Sequence, residues 1–163
     1  MVAPRAFPWS FSGVAVYSPD RVFLIGGYDP ATKKNESVSY VFRWSGKWAS
    51  KPFNENAASI CVLSHPEATA LVVTLNGRII RGTAKGNTLE AIDEGREGPG
   101  RVGDMREIRA IDKRAYAVGM RRMVYRCDAP DKWSRIDKGV RCTPADTSEA
   151  GFNSIHGFAE NDI

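Results

Sequence analysis

Three arginines follow the same kind of dipeptide, in Val41-Phe42-Arg43, Ile79-Ile80-Arg81 and Val124-Tyr125-Arg126. A guanidinium stays charged at any physiological pH and grips a carboxylate or phosphate through parallel hydrogen bonds, so a recurring set could ring an anion. The plainer assignment is that each arginine snorkels from a strand end and pairs with Asp93, Asp128 or Asp137. Trp44, Trp48 and Trp133 could stack on sugar rings, or could pack between sheets as repeated tryptophans do. Trp9 lies ahead of the recurring pattern. His65 precedes Pro66 in a turn-forming stretch and reads as exposed. His156 could act as an acid or base near neutral pH, but neither a nucleophile nor a carboxylate recurs beside it.

The remaining chemistry-bearing residues exclude more than they assign. Cys61, Cys127 and Cys142 are odd in number and form no CxxC pair, and the two histidines lie far from them in sequence. Zinc needs about four nitrogen or sulfur ligands at suitable spacing, so no metal site is expected. The run from Glu94 to Arg101 is glycine-rich like a phosphate loop but lacks the Gly-Lys-Ser/Thr ending and a following helix, so it reads as a connection. No catalytic constellation and no cofactor site emerge. Free thiols suit a reducing compartment. The N-terminus has no apolar run of the signal-peptide kind, and no stretch approaches a membrane span. A cytoplasmic location is the default expectation. The net charge of +4 is spread along the chain with acids interleaved, whereas a nucleic-acid binder gathers its basic residues into a stripe.

What positions these residues is a repeat. The three arginines are separated by 38 and 45 positions, the length of four short strands and their turns. Gly13 to Ser18, a Pro19-Asp20 turn and Arg21 to Gly27 match Arg106 to Ile111, an Asp112-Lys113-Arg114 turn and Ala115 to Gly119. The middle unit reads Ser59 to Leu63, a turn at His65 to Ala68, and Thr69 to Leu75. It closes on Asn76-Gly77, a pair that predicts a type I′ hairpin turn. Fourth strands follow at 46–50, 88–95 and 132–139. Ile92-Asp93-Glu94-Gly95 is echoed by Ile136-Asp137-Lys138-Gly139, and Gly46-Lys47-Trp48 by Asp131-Lys132-Trp133. Continuous apolar runs such as Val22 to Ile25 mark inner strands covered on both faces. Ile155 to Phe158 reads as the first strand of a fourth unit, with a turn at 160–162. The expected domain is therefore all-β, with units at about 12–52, 57–95 and 102–139 and a fourth beginning at 151–163.

These units resemble bacterial β-propeller repeats of the loose group holding the kelch, galactose-oxidase-like and sialidase-like (BNR) propellers. Gly26-Gly27, Tyr40 and Trp48 approximate a kelch blade in the first unit only. Ser134 to Gly139 has the wrong spacing for a sialidase Asp-box, and no tryptophan follows it. The resemblance implies a β-propeller with three four-stranded blades and the first strand of a fourth, part of a ring of six or seven. Such a part would expose apolar faces, so it implies further blades from a longer chain or from self-association. In propellers the loops joining second to third strands, and one blade to the next, most often carry function. Here they hold Lys33, Lys34, Arg96, Arg101, Arg121 and Arg122, the expected binding residues, interleaved with Glu36, Glu55 and Asp104. Their mixed charge points to a protein partner, with neither nucleic acid nor membrane. The leading expectation is a non-catalytic interaction module, for example a bacterial toxin-neutralising (immunity) protein. The alternative is a glycan-binding or glycan-active propeller.

Overall fold

The computed structural model describes residues 9–28, 38–143, 150–159 and 162–163. Twelve strands and no helix occur among them. The first sheet runs through β1 (Trp9–Ser18), β2 (Arg21–Tyr28), β3 (Ser39–Trp44) and β4 (Trp48–Phe53). The second holds β5 (Ala57–Leu63), β6 (Thr69–Thr74), β7 (Arg78–Thr83) and β8 (Gly86–Ala91). The third holds β9 (Met105–Ile111), β10 (Arg114–Gly119), β11 (Val124–Ala129) and β12 (Lys132–Arg135). Every neighbouring pair is antiparallel, and each sheet is a simple meander in sequence order. Trp9 thus belongs to the first strand rather than preceding the repeat.

The registers show how faithfully the pattern repeats. Arg43 lies opposite Phe23, Arg81 opposite Leu71 and Arg126 opposite Tyr116, each the third residue of its second strand. On the other side the three arginines face Ala49, Thr88 and Ser134. Trp48 and Trp133 then occupy one equivalent place, each a position before that partner. The recurring residues are therefore structurally equivalent. Because strand side chains alternate between faces, Arg43 and Arg81 each point at the sheet that follows their own, while Arg126 lies on the outer face of the third sheet with Tyr116.

The sheets stack through their first strands, β1 and β2 against β5, and β5 and β6 against β9. β6 is buried at every position, as a Val- and Leu-rich strand covered on both faces should be. One core between the second and third sheets gathers Leu71, Val73, Ile79, Met105, Ala117 and Tyr125. A smaller one between the first and second holds Ile25, Ile60 and Val72. The outer face of the first sheet is bare. Val14 is 60% exposed, Val16 65% and Trp48 54%. Ile60 and Ile108, the equivalents of Val14, and Trp133, the third sheet's equivalent of Trp48, are all covered by a preceding sheet.

Two expectations are corrected. Asn76-Gly77 does not form a type I′ turn, because only Gly77 has positive φ (80°) and its N–H bonds to the Thr74 carbonyl at 3.0 Å. That is the three-residue loop ending on a left-handed glycine, and Pro99 packs so closely on Gly77 that a Cβ there would lie 2.5 Å away. Residues 152–158 form no strand. The segment enters as one would, with Gly151 bridging to Met120 and the Phe152 N–H donating to the Gly119 carbonyl at 3.0 Å. The Ile155 N–H then goes to a Glu107 carboxylate oxygen at 2.7 Å rather than to a ladder. Phe152 and Ile155 still cover the third sheet beside Tyr116 and Val118. Most of the turn expected at 160–162 lies outside the described residues.

Candidate functional site

Strand direction divides the connections between two ends of the stack. One end carries the β6–β7, β8–β9 and β10–β11 loops, and here the expected binding residues are found. Arg121 and Arg122 sit in the β10–β11 turn with φ of 58° and 56°, and the Met123 N–H reaches the Met120 carbonyl at 3.3 Å. This is a type I′ geometry built from two arginines, where Asn-Gly would be the unstrained choice. The Arg121 guanidinium donates to the Thr143 carbonyl at 3.4 Å, and that of Arg122 to the Val140 carbonyl at 3.5 Å.

Arg121 lines a hollow of about 260 Å³ with Glu97, Val102, Arg135, Arg141 and Cys142. Arg141 is hydrogen-bonded to the Glu97 carboxylate. Arg135 donates to the Glu97 carbonyl at 2.9 Å and to buried Asp137 at 2.7 Å, with its guanidinium 5.6 Å from the Tyr125 ring centre. Arg135 and Arg141 were not among the expected residues. The alternation of β12 puts Trp133 and Arg135 on one face and could have marked Arg135, whereas nothing local marked Arg141. Arg96 and Arg101 are exposed on the β8–β9 loop and do not line this hollow. Lys33 and Lys34 lie outside the described residues.

The tight hairpins at the opposite end enclose a larger space between the first and second sheets, about 570 Å³. Its walls are apolar, among them Phe23, Val41, Val72 and Ile80, and its rim carries Arg21, Arg43 and Lys51 against the single carboxylate of Glu67. Arg21 lies 5.4 Å from the Tyr17 ring centre. Among the described residues no carboxylate pairs with Arg43 or Lys51. Among the described residues, none of the expected binding set lies in this cleft.

The repeat places a different set of groups one sheet further on. Arg81 donates through Nε and Nη2 to the two oxygens of Glu90, the second at 3.2 Å. It also reaches Cys127 Sγ at 3.5 Å, and Trp133 Nε1 donates to Glu90 at 3.4 Å. Burial alone would lower the arginine's pKa, but the Glu90 carboxylate outweighs it and holds the guanidinium above its ordinary value. Arg81 thus pairs with Glu90 rather than Asp93, which accepts from Tyr125 instead. Arg126 pairs with Asp128 at 2.8 Å, one of the acids expected.

Burial pushes the Cys61 thiol up to about 12, with Cys127 adding to the shift, so it stays protonated and a poor nucleophile. His65 and His156 are exposed. Among the described residues no group of three His, Cys, Asp or Glu side chains is arranged to hold a metal ion, and no helix is long and apolar enough to cross a membrane.

No protein-family model matches the chain. Over 160 residues it is 29% identical to the immune protein Tsi7 of Pseudomonas aeruginosa, an alignment covering 94% of this chain and 52% of Tsi7. The chain therefore spans about half the length of the curated relative it matches, and its similarity is to an immune protein.

Proposed function

We propose that this chain is a non-catalytic, toxin-neutralising protein that binds a protein toxin through the loop end bearing Arg121, Arg122, Arg96 and Arg101. The observation that carries this is the similarity to Tsi7 along 94% of the chain. The strained Arg121-Arg122 turn supports the choice of face. Left-handed backbone costs a non-glycine residue about 1 kcal/mol or more, and such strain is kept where the side chains themselves are needed.

Captured partners identify candidates, and growth decides. The toxin expressed alone is expected to arrest a bacterial host, and co-expression of this chain to restore growth. Arrest that the chain does not relieve overturns the reading. The variant Arg121→Asn with Arg122→Gly relaxes the turn, so it is expected to raise stability by about 1 kcal/mol while weakening neutralisation. Unchanged neutralisation would remove this face from the proposal.

The same reading includes a β-propeller architecture that this chain fills in part. On the bare outer face of the first sheet, Val14, Phe42 and Trp48 stand where Ile60, Ile80 and Asn87 of the second sheet face the first. Trp133, the third sheet's equivalent, packs into the seam. A further four-stranded sheet, from a longer polypeptide or from a second copy, would bury it. Light scattering of the 163-residue chain is expected to show self-association. A sharply melting monomer would count against it.

A further inference from the structure

The cleft between the first and second sheets is defined by what the next seam contains and it does not. In that seam Arg81 is neutralised by Glu90, and the space beside the pair is filled by Cys127 and the Trp133 indole. Position for position the first seam has Arg43 for Arg81, Lys51 for Glu90, Gly82 for Cys127 and Asn87 for Trp133, as the registers Val41↔Lys51, Ile79↔Glu90, Gly82↔Asn87 and Cys127↔Trp133 require. Arg43 and Lys51 lie diagonally on one face of adjacent strands, a separation that long side chains span. The first seam therefore keeps the cation, replaces its carboxylate with a second cation, and leaves empty the volume that an indole fills.

From this replacement we infer that the cleft binds a carboxylate-bearing segment of a protein partner, an Asp or Glu side chain flanked by an apolar residue. The carboxylate takes the place that Glu90 holds between the other sheets, paired with Arg43 and Lys51. The apolar neighbour enters the space above Gly82 and Asn87 against Phe23, Val72 and Ile80. Two features favour a segment of protein chain. Arg43, Lys51 and Asn87 are exposed, so the cleft is open along its rim rather than closed over a small molecule, most of whose surface a dedicated pocket would bury. Glu67 on the same rim repels a polyanion but leaves room for one localised carboxylate. This surface is at the opposite end from Arg121 and Arg122, goes beyond the toxin-neutralising reading, and does not depend on it.

The test uses the full ¹⁵N-labelled chain in its own assembly and a blocked peptide of alternating leucine and glutamate, with the glutamine peptide as control. The glutamate peptide is expected to shift amides around Arg43, Lys51 and Ala70 saturably, and the glutamine peptide to bind at least about tenfold more weakly. Lys51→Glu supplies the acid that the second sheet carries at the equivalent place. It is expected to fold and melt normally and to lose about tenfold or more in affinity for the glutamate peptide. Asn87→Trp fills the apolar part and is expected to weaken both peptides. Absence of saturable shifts up to about 1 mM, equal affinity for the two peptides, or binding that survives Lys51→Glu in a folded chain would each overturn the inference. Failure of growth rescue would leave these results standing, and their failure would leave growth rescue standing.

Discussion

The seam between the first and second sheets and the seam between the second and third are made from equivalent strand positions, yet they are filled differently. The second is closed by a buried ion pair, an indole and a large apolar core with fully buried Leu71, Ile79 and Met105. In the first, Ile25, Ile60 and Val72 pack at the inner strands, and the outer half is left as a cleft rimmed by three cations and the one carboxylate of Glu67. A repeat can hold its backbone register constant while the contents of each seam vary. Here the variation separates a region devoted to stability from one that remains open to a partner.

The largest effect expected from that contrast is at Glu90. Glu90→Ala strands the buried Arg81 guanidinium without its carboxylate, a loss of about 3–5 kcal/mol. Arg43→Ala, the equivalent cation in the open seam, is expected to change stability by less than about 0.5 kcal/mol. Replacing the buried pair together, by Arg81→Met with Glu90→Leu, should come near neutrality. Urea denaturation of the three variants measures all of this, and equal losses at Glu90 and Arg43 would break the distinction between the seams.

The repeat was legible because strand residues answer to a period of two and to short turns, both local properties. Arg43, Arg81 and Arg126 marked one structural position, and Trp48 and Trp133 another, before any register was known. What was not legible depends on pairing across seams. Nothing around Lys51 or Asn87 in sequence announces that they stand where Glu90 and Trp133 stand, since the equivalence appears only through Val41↔Lys51 and Gly82↔Asn87. The cleft is therefore invisible in the sequence, where the loop cations stand out instead. Arg121 proved to line a hollow, but its companions Arg135 and Arg141 were hidden by their distance along the chain. The strand expected at Ile155 to Phe158 failed on hydrogen bonding, because Phe152 and Ile155 dock while the Ile155 N–H is taken by a side chain.

Filling the first seam sharpens the comparison further. Lys51→Glu together with Asn87→Trp gives it the acid and the indole of the second, so an ion pair with Arg43 and a better-filled cleft should follow. Cavity filling of this kind adds about 0.5–2 kcal/mol, read as a rise in the urea midpoint at unchanged slope. A loss of stability would mean that the two seams differ in sheet spacing rather than in side chains alone.

The smallest effect concerns the third sheet's outer face, which is closed by a tether rather than by a sheet. Burial pushes the Glu107 carboxyl up, but hydrogen bonds from Arg109, the Ile155 N–H and Ser154 together outweigh it and hold the group below its ordinary value of 4.5. A depressed folded-state pKa means that the unfolded chain takes up the proton first. The tether's contribution is therefore complete above the ordinary glutamate range and is lost as the pH falls through the lower folded value. Because Glu107 is partly exposed and Arg109 more so, the contribution should stay below about 1 kcal/mol. Hydrogen exchange at Ile155 is expected to quicken, after correction for intrinsic rates, as the pH drops from 6 to about 3, and Glu107→Gln to show the faster exchange already at pH 6. Protection that ignores both pH and substitution would mean that Phe152 and Ile155 hold the segment by packing alone, making this face more like the buried second seam than the open first.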